Sequence, residues 1–449
     1  MKVRSAMFRL VSALLLLFIC GTDSAWAKTP DRKYPQKTTK KVYKPVKYKS
    51  TKYKSVKYKS TKRVYFVPTP RPVVRPEPAP NTPLAQMERV GLQMNRGVAP
   101  LISPLPQFSS RLGGQVASLS RQNDFIFYSI DPALQRRAQE LIDRASAPHA
   151  AIVAMEPTSG RILAIAEKSP MISNLAMHAG FPAASLFKLV TTAAALENGA
   201  IQPSSLIAFR GGTYTLNQWN FLPDARKDHQ IMSVAEALGK SCNPVFARIA
   251  LKHLSPKTLR FYAQTFGFDT DLGLEAPLSS SHAVIPEDSY GLSRTAAGFG
   301  DVRISPVHAA AIMSGIANHG MLPKPRLVER VLNSRGDLVY QARTEIVRHL
   351  TRTETANTLL NMMENTTTLG TSRREFSRKS ALSLAGIKVA AKTGTLKGTN
   401  PPGLNNWFIA AAPIQNPRIA VSVIVVDPRG LSSKASYLGR EMIEKYLKG

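Results

Sequence analysis

Residues 185–197 read Ser-Leu-Phe-Lys-Leu-Val-Thr-Thr-Ala-Ala-Ala-Leu-Glu. Neither proline nor glycine interrupts the run and Gly199 follows it, so the stretch predicts a helix that opens on a serine with a lysine three residues on. Positions three apart share a helix face, which sets the Lys188 amine beside the Ser185 hydroxyl. A serine is a poor nucleophile until a base removes its proton. Lysine can be that base only when burial and a neighbouring cation lower its pKa from about 10.4. The start of a helix helps twice: its free N–H groups can bind a developing oxyanion, and its positive end disfavours a charged lysine. This Ser-x-x-Lys occurs once in the chain. Alone, the motif is weak, because Ser and Lys recur at this spacing by chance and a plain core helix explains it.

Two further motifs follow. Ser241-Cys242-Asn243 comes after an expected helix over Met232 to Lys240, and Pro244 suits the start of the next one. A second serine near the lysine can pass a proton to a leaving amine, and the Asn243 amide offers a donor and an acceptor for a peptide bond. A simple helix cap is the bland alternative. Lys392-Thr393-Gly394-Thr395 contains the only Lys-Thr-Gly and ends an apolar strand signal. Gly394 lets a substrate backbone approach closely, and Lys392, Thr393 and Thr395 can bind a carboxylate. A strand end followed by a turn explains that motif alone, but not the occurrence of all three in this order.

In that order the three motifs resemble the serine penicillin-binding proteins, specifically their D,D-transpeptidase domain. The likeness extends to Ile130-Asp131 and the helix after it, Glu156 to Gly160, Phe181-Pro182, Gly298-Phe299-Gly300, Ile304-Ser305-Pro306 and Asn406-Trp407-Phe408, covering roughly residues 125 to 430. The resemblance implies an α+β fold of the penicillin-binding protein and serine β-lactamase type, an antiparallel sheet packed with helices plus an all-helical lobe. It implies that Ser185 attacks the carbonyl between two D-alanines of a peptidoglycan stem peptide, with Lys188 as general base. Ser241 would relay the proton to the departing D-alanine, and Asn243 would hold the substrate amide. Lys392 would sit beside Ser241, lower the Lys188 pKa and steer the substrate carboxylate onto Thr393 and Thr395, with Gly394 between them. The Ser185 and Thr395 N–H groups would form the oxyanion hole. β-Lactam antibiotics would acylate the same serine.

The same residues also serve D,D-carboxypeptidases and, with a deacylating base added, β-lactamases, so hydrolysis stays open beside crosslinking. A catalytically idle wall-binding scaffold is the alternative from another class. The lead-in over 84–125 is too short for a glycosyltransferase module or for the long non-catalytic module of the family's crosslinking members.

Outside the motifs, alternating helix and strand signals predict an α+β domain over 84–449. Asp131 to Ala145 has helical spacing with Asp131 as cap. Ala151 to Met155 and Arg161 to Ala166 flank a Thr158-Ser159-Gly160 turn as a hairpin. Ile387 to Lys392, Trp407 to Ala412 and Ile419 to Val426 read as strands, and Ala435 to Leu447 as a closing helix.

The first 27 residues read as an export signal, with Lys2, Arg4 and Arg9 ahead of an apolar run from Leu10 to Gly21 and Ala25-Trp26-Ala27 before the cut. An uncleaved membrane anchor is the alternative. The expected location is therefore periplasmic or at the cell envelope. Residues 28–83 carry 17 Lys+Arg against 2 Asp+Glu, about half of the chain's net +31. They hold a five-residue Lys/Tyr repeat from Lys41 to Tyr65 and then a proline-rich stretch, which together cannot bury enough apolar surface to offset their ordering entropy. A disordered spacer is expected, either merely solvated or held on an anionic cell-wall or membrane surface. Nucleic acid is not an expected partner of an exported protein. Cys20 and Cys242 are the only cysteines, which excludes a disulfide framework and a cysteine-ligated zinc site. The eight histidines are scattered, so no metal or other cofactor is expected.

Overall fold

The computed structural model describes residues 89–93, 101–103, 105–377, 382–430 and 433–449. The expected signal peptide (1–27) and basic spacer (28–83) lie outside the described residues.

Asp131 opens the first helix, α1 (Pro132–Arg144), by accepting hydrogen bonds at 2.8 Å from the Ala133 and Leu134 N–H groups. The chain then forms an antiparallel hairpin of β1 (His149–Met155) and β2 (Ile162–Lys168). Three strands from the far end of the sequence complete this sheet: β3 (Ala390–Thr399), β4 (Pro402–Ala412) and β5 (Ile419–Asp427). The order is β3-β4-β5-β1-β2, with every neighbouring pair antiparallel. Between the two groups of strands lie α2 (Lys188–Glu197), α3 (Val234–Lys240), α4 (Asn243–His253) and α5 (Pro306–Ala317), and the chain closes with α6 (Ala435–Lys448).

Alternation along β4 shows why its sequence is apolar without a break. Phe408, Ala410 and Ala412 pack with Leu134 and Ala138 of α1 and Leu438 and Met442 of α6. Trp407, Ile409 and Ala411 point the other way, into the larger core that holds Val307 and Ile316 of α5. A strand buried on both faces has no solvent side to mark with polar residues. Helices on both sides of the sheet give the α+β architecture expected, and the helical lobe is trimmed by short ribbons such as Leu206–Phe209 with Gln230–Ser233. The lead-in has a sheet of its own. Gln115–Ser120 and Phe125–Tyr128 pair with each other, and the latter pairs with Val328–Leu332.

Two elements differ from expectation in ways that matter to the site. The helix expected from Ser185 starts as a 3-10 turn over Ala184–Phe187 and becomes α-helical only at Lys188. Ala184, at φ 50°, takes the left-handed conformation that bulky side chains avoid, and this tightens the entry. The strand expected to end at Lys392 instead starts at Ala390 and runs on to Thr399. It is an edge strand, paired on one side with β4 over its whole length. Its second half is polar because its side chains are largely exposed, and so it read as a turn.

Candidate active site

The 3-10 turn governs the first pair. With three residues per turn, positions i and i+3 eclipse each other, and Lys188 Nζ lies 2.8 Å from Ser185 Oγ. Lys188 is wholly buried, and its amine makes two other contacts: Asn243 Oδ1 at 2.7 Å and the Ala297 carbonyl. A neutral amine has two N–H bonds and one lone pair. The two carbonyl oxygens take the two N–H bonds, so the lone pair faces the serine hydroxyl. Burial, and after it the Lys392 charge, hold the Lys188 pKa well below the ordinary lysine range. Sequence reasoning named burial and a neighbouring cation together. The structure puts desolvation first.

Ser241 and Lys392 form a second buried pair. Lys392 Nζ donates to Ser241 Oγ at 2.9 Å and to the Thr393 carbonyl at 2.8 Å. Burial pushes this lysine down to about 7. Ser241 caps the C-terminus of α3 in the left-handed conformation, φ 57°, which turns its side chain towards the β3 lysine. Asn243 opens α4 and has both amide atoms engaged by protein: Oδ1 accepts from Lys188, and Nδ2 donates to the Tyr214 carbonyl at 2.7 Å. This amide therefore serves the lysine. Cys242 between them is buried with its thiol pushed up to about 11, so it stays protonated near neutral pH.

Glycines let these elements approach. Gly298 has φ +94°, and a Cβ there would stand 2.3 Å from the Ala184 carbonyl oxygen. A Cβ on Gly394 would stand 3.2 Å from Ala184 Cβ and 3.3 Å from Ser185 N. The space that the sequence reserves at Gly394 is thus filled by the turn that carries Ser185. Trp407 Nε1 donates to the Pro182 carbonyl at 2.9 Å and fixes that turn to β4.

All eight candidate residues gather here. Ser185, Ser241, Asn243, Thr393, Gly394 and Thr395 line one cleft of about 460 Å³, with Lys188 and Lys392 buried behind it. Sequence reasoning missed several neighbours. Thr371 shares a hydrogen bond with Thr393 through their hydroxyls, Asn406 Nδ2 donates to Thr395 Oγ1 at 3.2 Å, and Tyr214, Glu375 and Lys434 form other parts of the wall. The Gly298 and Asn406 stretches were visible as segments, but no single side chain in them stood out. Among the described residues, no group of three or more His, Cys, Asp or Glu is placed to hold a metal ion.

A buried lysine with its lone pair on a serine, backed by a serine–lysine pair on a sheet edge, defines a serine acyl-transfer site on a two-lobed α+β scaffold. The model of the penicillin-binding protein transpeptidase domain matches residues 150–444, and the chain belongs to that family. Its domain is a serine D,D-transpeptidase domain. The peptidoglycan D,D-transpeptidase PbpA of Mycobacterium tuberculosis is 30% identical over 346 residues, 67% of each chain. That of Mycolicibacterium smegmatis is 29% identical over 340 residues, 67% of this chain and 66% of that one. The chain thus spans about two thirds of the length of these relatives. Among solved structures, penicillin-binding protein A from M. tuberculosis as a ceftriaxone acyl-enzyme complex superposes with a TM-score of 0.59 at 26% identity, covering 74% of this chain and 80% of that one.

Proposed function

We propose that this protein crosslinks peptidoglycan, with Ser185 as the nucleophile that takes the acyl group of a D-alanyl-D-alanine stem peptide. Lys188 accepts the Ser185 proton through its free lone pair. Ser241, bonded to Lys392, passes a proton to the departing D-alanine. Thr393 and Thr395 hold the substrate carboxylate beside the Lys392 charge, and the N–H groups of Ser185 and Thr395 face the developing oxyanion. Asn243 holds Lys188 and turns to the substrate amide when the cleft fills. A β-lactam enters by the same route and leaves Ser185 acylated. The observation that carries this reading is the buried Lys188 amine, 2.8 Å from Ser185 Oγ, with two further oxygens, Asn243 Oδ1 and the Ala297 carbonyl, in reach of its N–H bonds.

The export signal and the basic spacer fit such work: the substrate lies outside the cytoplasm, and a cationic tether suits an anionic wall or membrane surface. Mass spectrometry of the penicillin adduct tests the assignment. The expected result is one penicilloyl group on the peptide that contains Ser185, and none in Ser185→Ala; wild-type protein that never labels refutes it. Incubation with a pentapeptide and an acceptor amine then separates crosslinking from hydrolysis. A product pool of tetrapeptide alone would mean a carboxypeptidase.

A further inference from the structure

The cleft carries one carboxylate, Glu375, the only acidic side chain that lines it among the described residues. This side chain is 9% exposed, and its Oε1 accepts a 2.6 Å hydrogen bond from Lys434 Nζ, which stands half-exposed at the rim. Ser436 lines the same wall two residues further on. Acylation makes no use of this pair. Its base is Lys188, its proton relay is Ser241 with Lys392, and the donor carboxylate goes to Thr393 and Thr395. Nor is net stability a sufficient reason for a largely buried ion pair, because desolvation offsets much of the attraction. The half-reaction still without residues is the second one, in which an amine must reach the acyl-ester on Ser185.

We propose that Glu375 and Lys434 form the acceptor subsite and that it takes an amine flanked by a carboxylate, the amino-acid terminus of a diamino-acid side chain on a second stem peptide. This assignment rests on the crosslinking reading above. The acceptor ammonium replaces Lys434 on Glu375, and the acceptor carboxylate pairs with Lys434, whose long stem and rim position let it swing, beside the Ser436 hydroxyl. Each charge of the pair is exchanged for a like charge on the ligand, so no ion is left alone in a desolvated place. A plain alkyl amine satisfies Glu375 but strands Lys434. The docked ammonium gives one proton to solvent. The neutral nitrogen then forms the C–N bond while the ester C–O bond to Ser185 breaks, and the second proton that the nitrogen loses reaches Ser185 Oγ by way of Lys188.

The test uses the full chain with a pentapeptide donor and two acceptors of equal spacing, 2,6-diaminoheptanedioic acid and 1,5-diaminopentane, which lacks both carboxylates. The readout is the ratio of aminolysis to hydrolysis, with acylation by labelled penicillin measured separately. Wild type is expected to favour the diacid by at least about tenfold. Glu375→Gln is expected to lower the ratio for both acceptors by about tenfold, and Lys434→Gln to bring the two acceptors within about twofold of each other. Equal use of the two acceptors by wild type, or an unchanged ratio in Glu375→Gln, overturns the assignment. So does a parallel fall in acylation, because it would place the pair in the donor site. Wild type that is never acylated, or that only hydrolyses with every acceptor, overturns the crosslinking reading and the acceptor subsite with it. Wild type that is acylated and transfers to amines without preference overturns only the acceptor subsite.

Discussion

As the proposed base, Lys188 acts by what it lacks, a proton, and the burial around it favours that neutral form. The rate of acylation by penicillin is expected to fall as pH drops through its lowered pKa; a flat profile from about pH 5 to about pH 9 would contradict the base assignment. Lys392 adds a stability signature. Its pKa is about 7 in the fold against 10.5 for a free lysine. Below the folded value both states are protonated and the burial penalty is fully present; between about 7 and 10.5 the unfolded chain binds more protons, so stability rises with pH. Lys188 acts in the same direction. Urea titrations should therefore show Lys392 contributing on the order of 2 kcal/mol to a rise in wild-type stability between about pH 7 and pH 9, and Lys392→Met rising less steeply. An equal slope in the variant would mean that this lysine is not buried as described. At this scale the sequence was informative for side chains and silent for backbone. Spacing paired Ser185 with Lys188, but the Ala297 carbonyl that takes the second N–H bond is main chain, which leaves no mark in residue type.

Among the elements, the 3-10 turn and β3 do most of the positioning, and both were misread in part. Ser185 to Glu197 carries helical propensity throughout, but the chain enters it through a left-handed Ala184 held against Gly298 and Gly394. Propensity cannot register a conformation imposed by two distant glycines. Gly298→Ala tests this coupling. It needs a side chain at φ +94° and brings a Cβ within 2.3 Å of the Ala184 carbonyl oxygen, so the turn must shift. The expected outcome is a loss of roughly 1–3 kcal/mol in stability and a fall of about a hundredfold or more in the acylation rate constant, because a displacement near 1 Å at the reacting atoms is that costly. Thermal unfolding and labelled-penicillin kinetics on the same sample separate the two effects. A variant that unfolds earlier but acylates at the wild-type rate would show that the glycine serves packing alone.

At the scale of the molecule, the sheet closes with β1 and β2 from one end of the domain and β3 to β5 from the other, an arrangement that the order of the strand signals suggested. The sheet of the lead-in was not legible, since its strands are short, and Phe125–Tyr128 finds a partner at Val328–Leu332, two hundred residues away. The basic spacer bears on location. Deleting residues 28–83 behind an intact export signal should leave penicillin acylation within about twofold and release the protein from isolated cell envelopes at low salt, because attraction between exposed charges is screened over about 10 Å at 0.1 M salt. Unchanged retention would reduce the spacer to a solvated linker.

The wall beside Ser185 has little slack. Gly298 cannot accept a side chain as a way of shutting out an antibiotic, and at Gly394 even a methyl group presses on the chain around Ser185. Drift under drug selection is therefore channelled to the rim, to residues such as Tyr214, Thr371 and Leu396, where a side chain can change its bulk without moving the serine. The same rim meets the natural peptide, so resistance gained there is bounded by what the growing wall still needs to bring in.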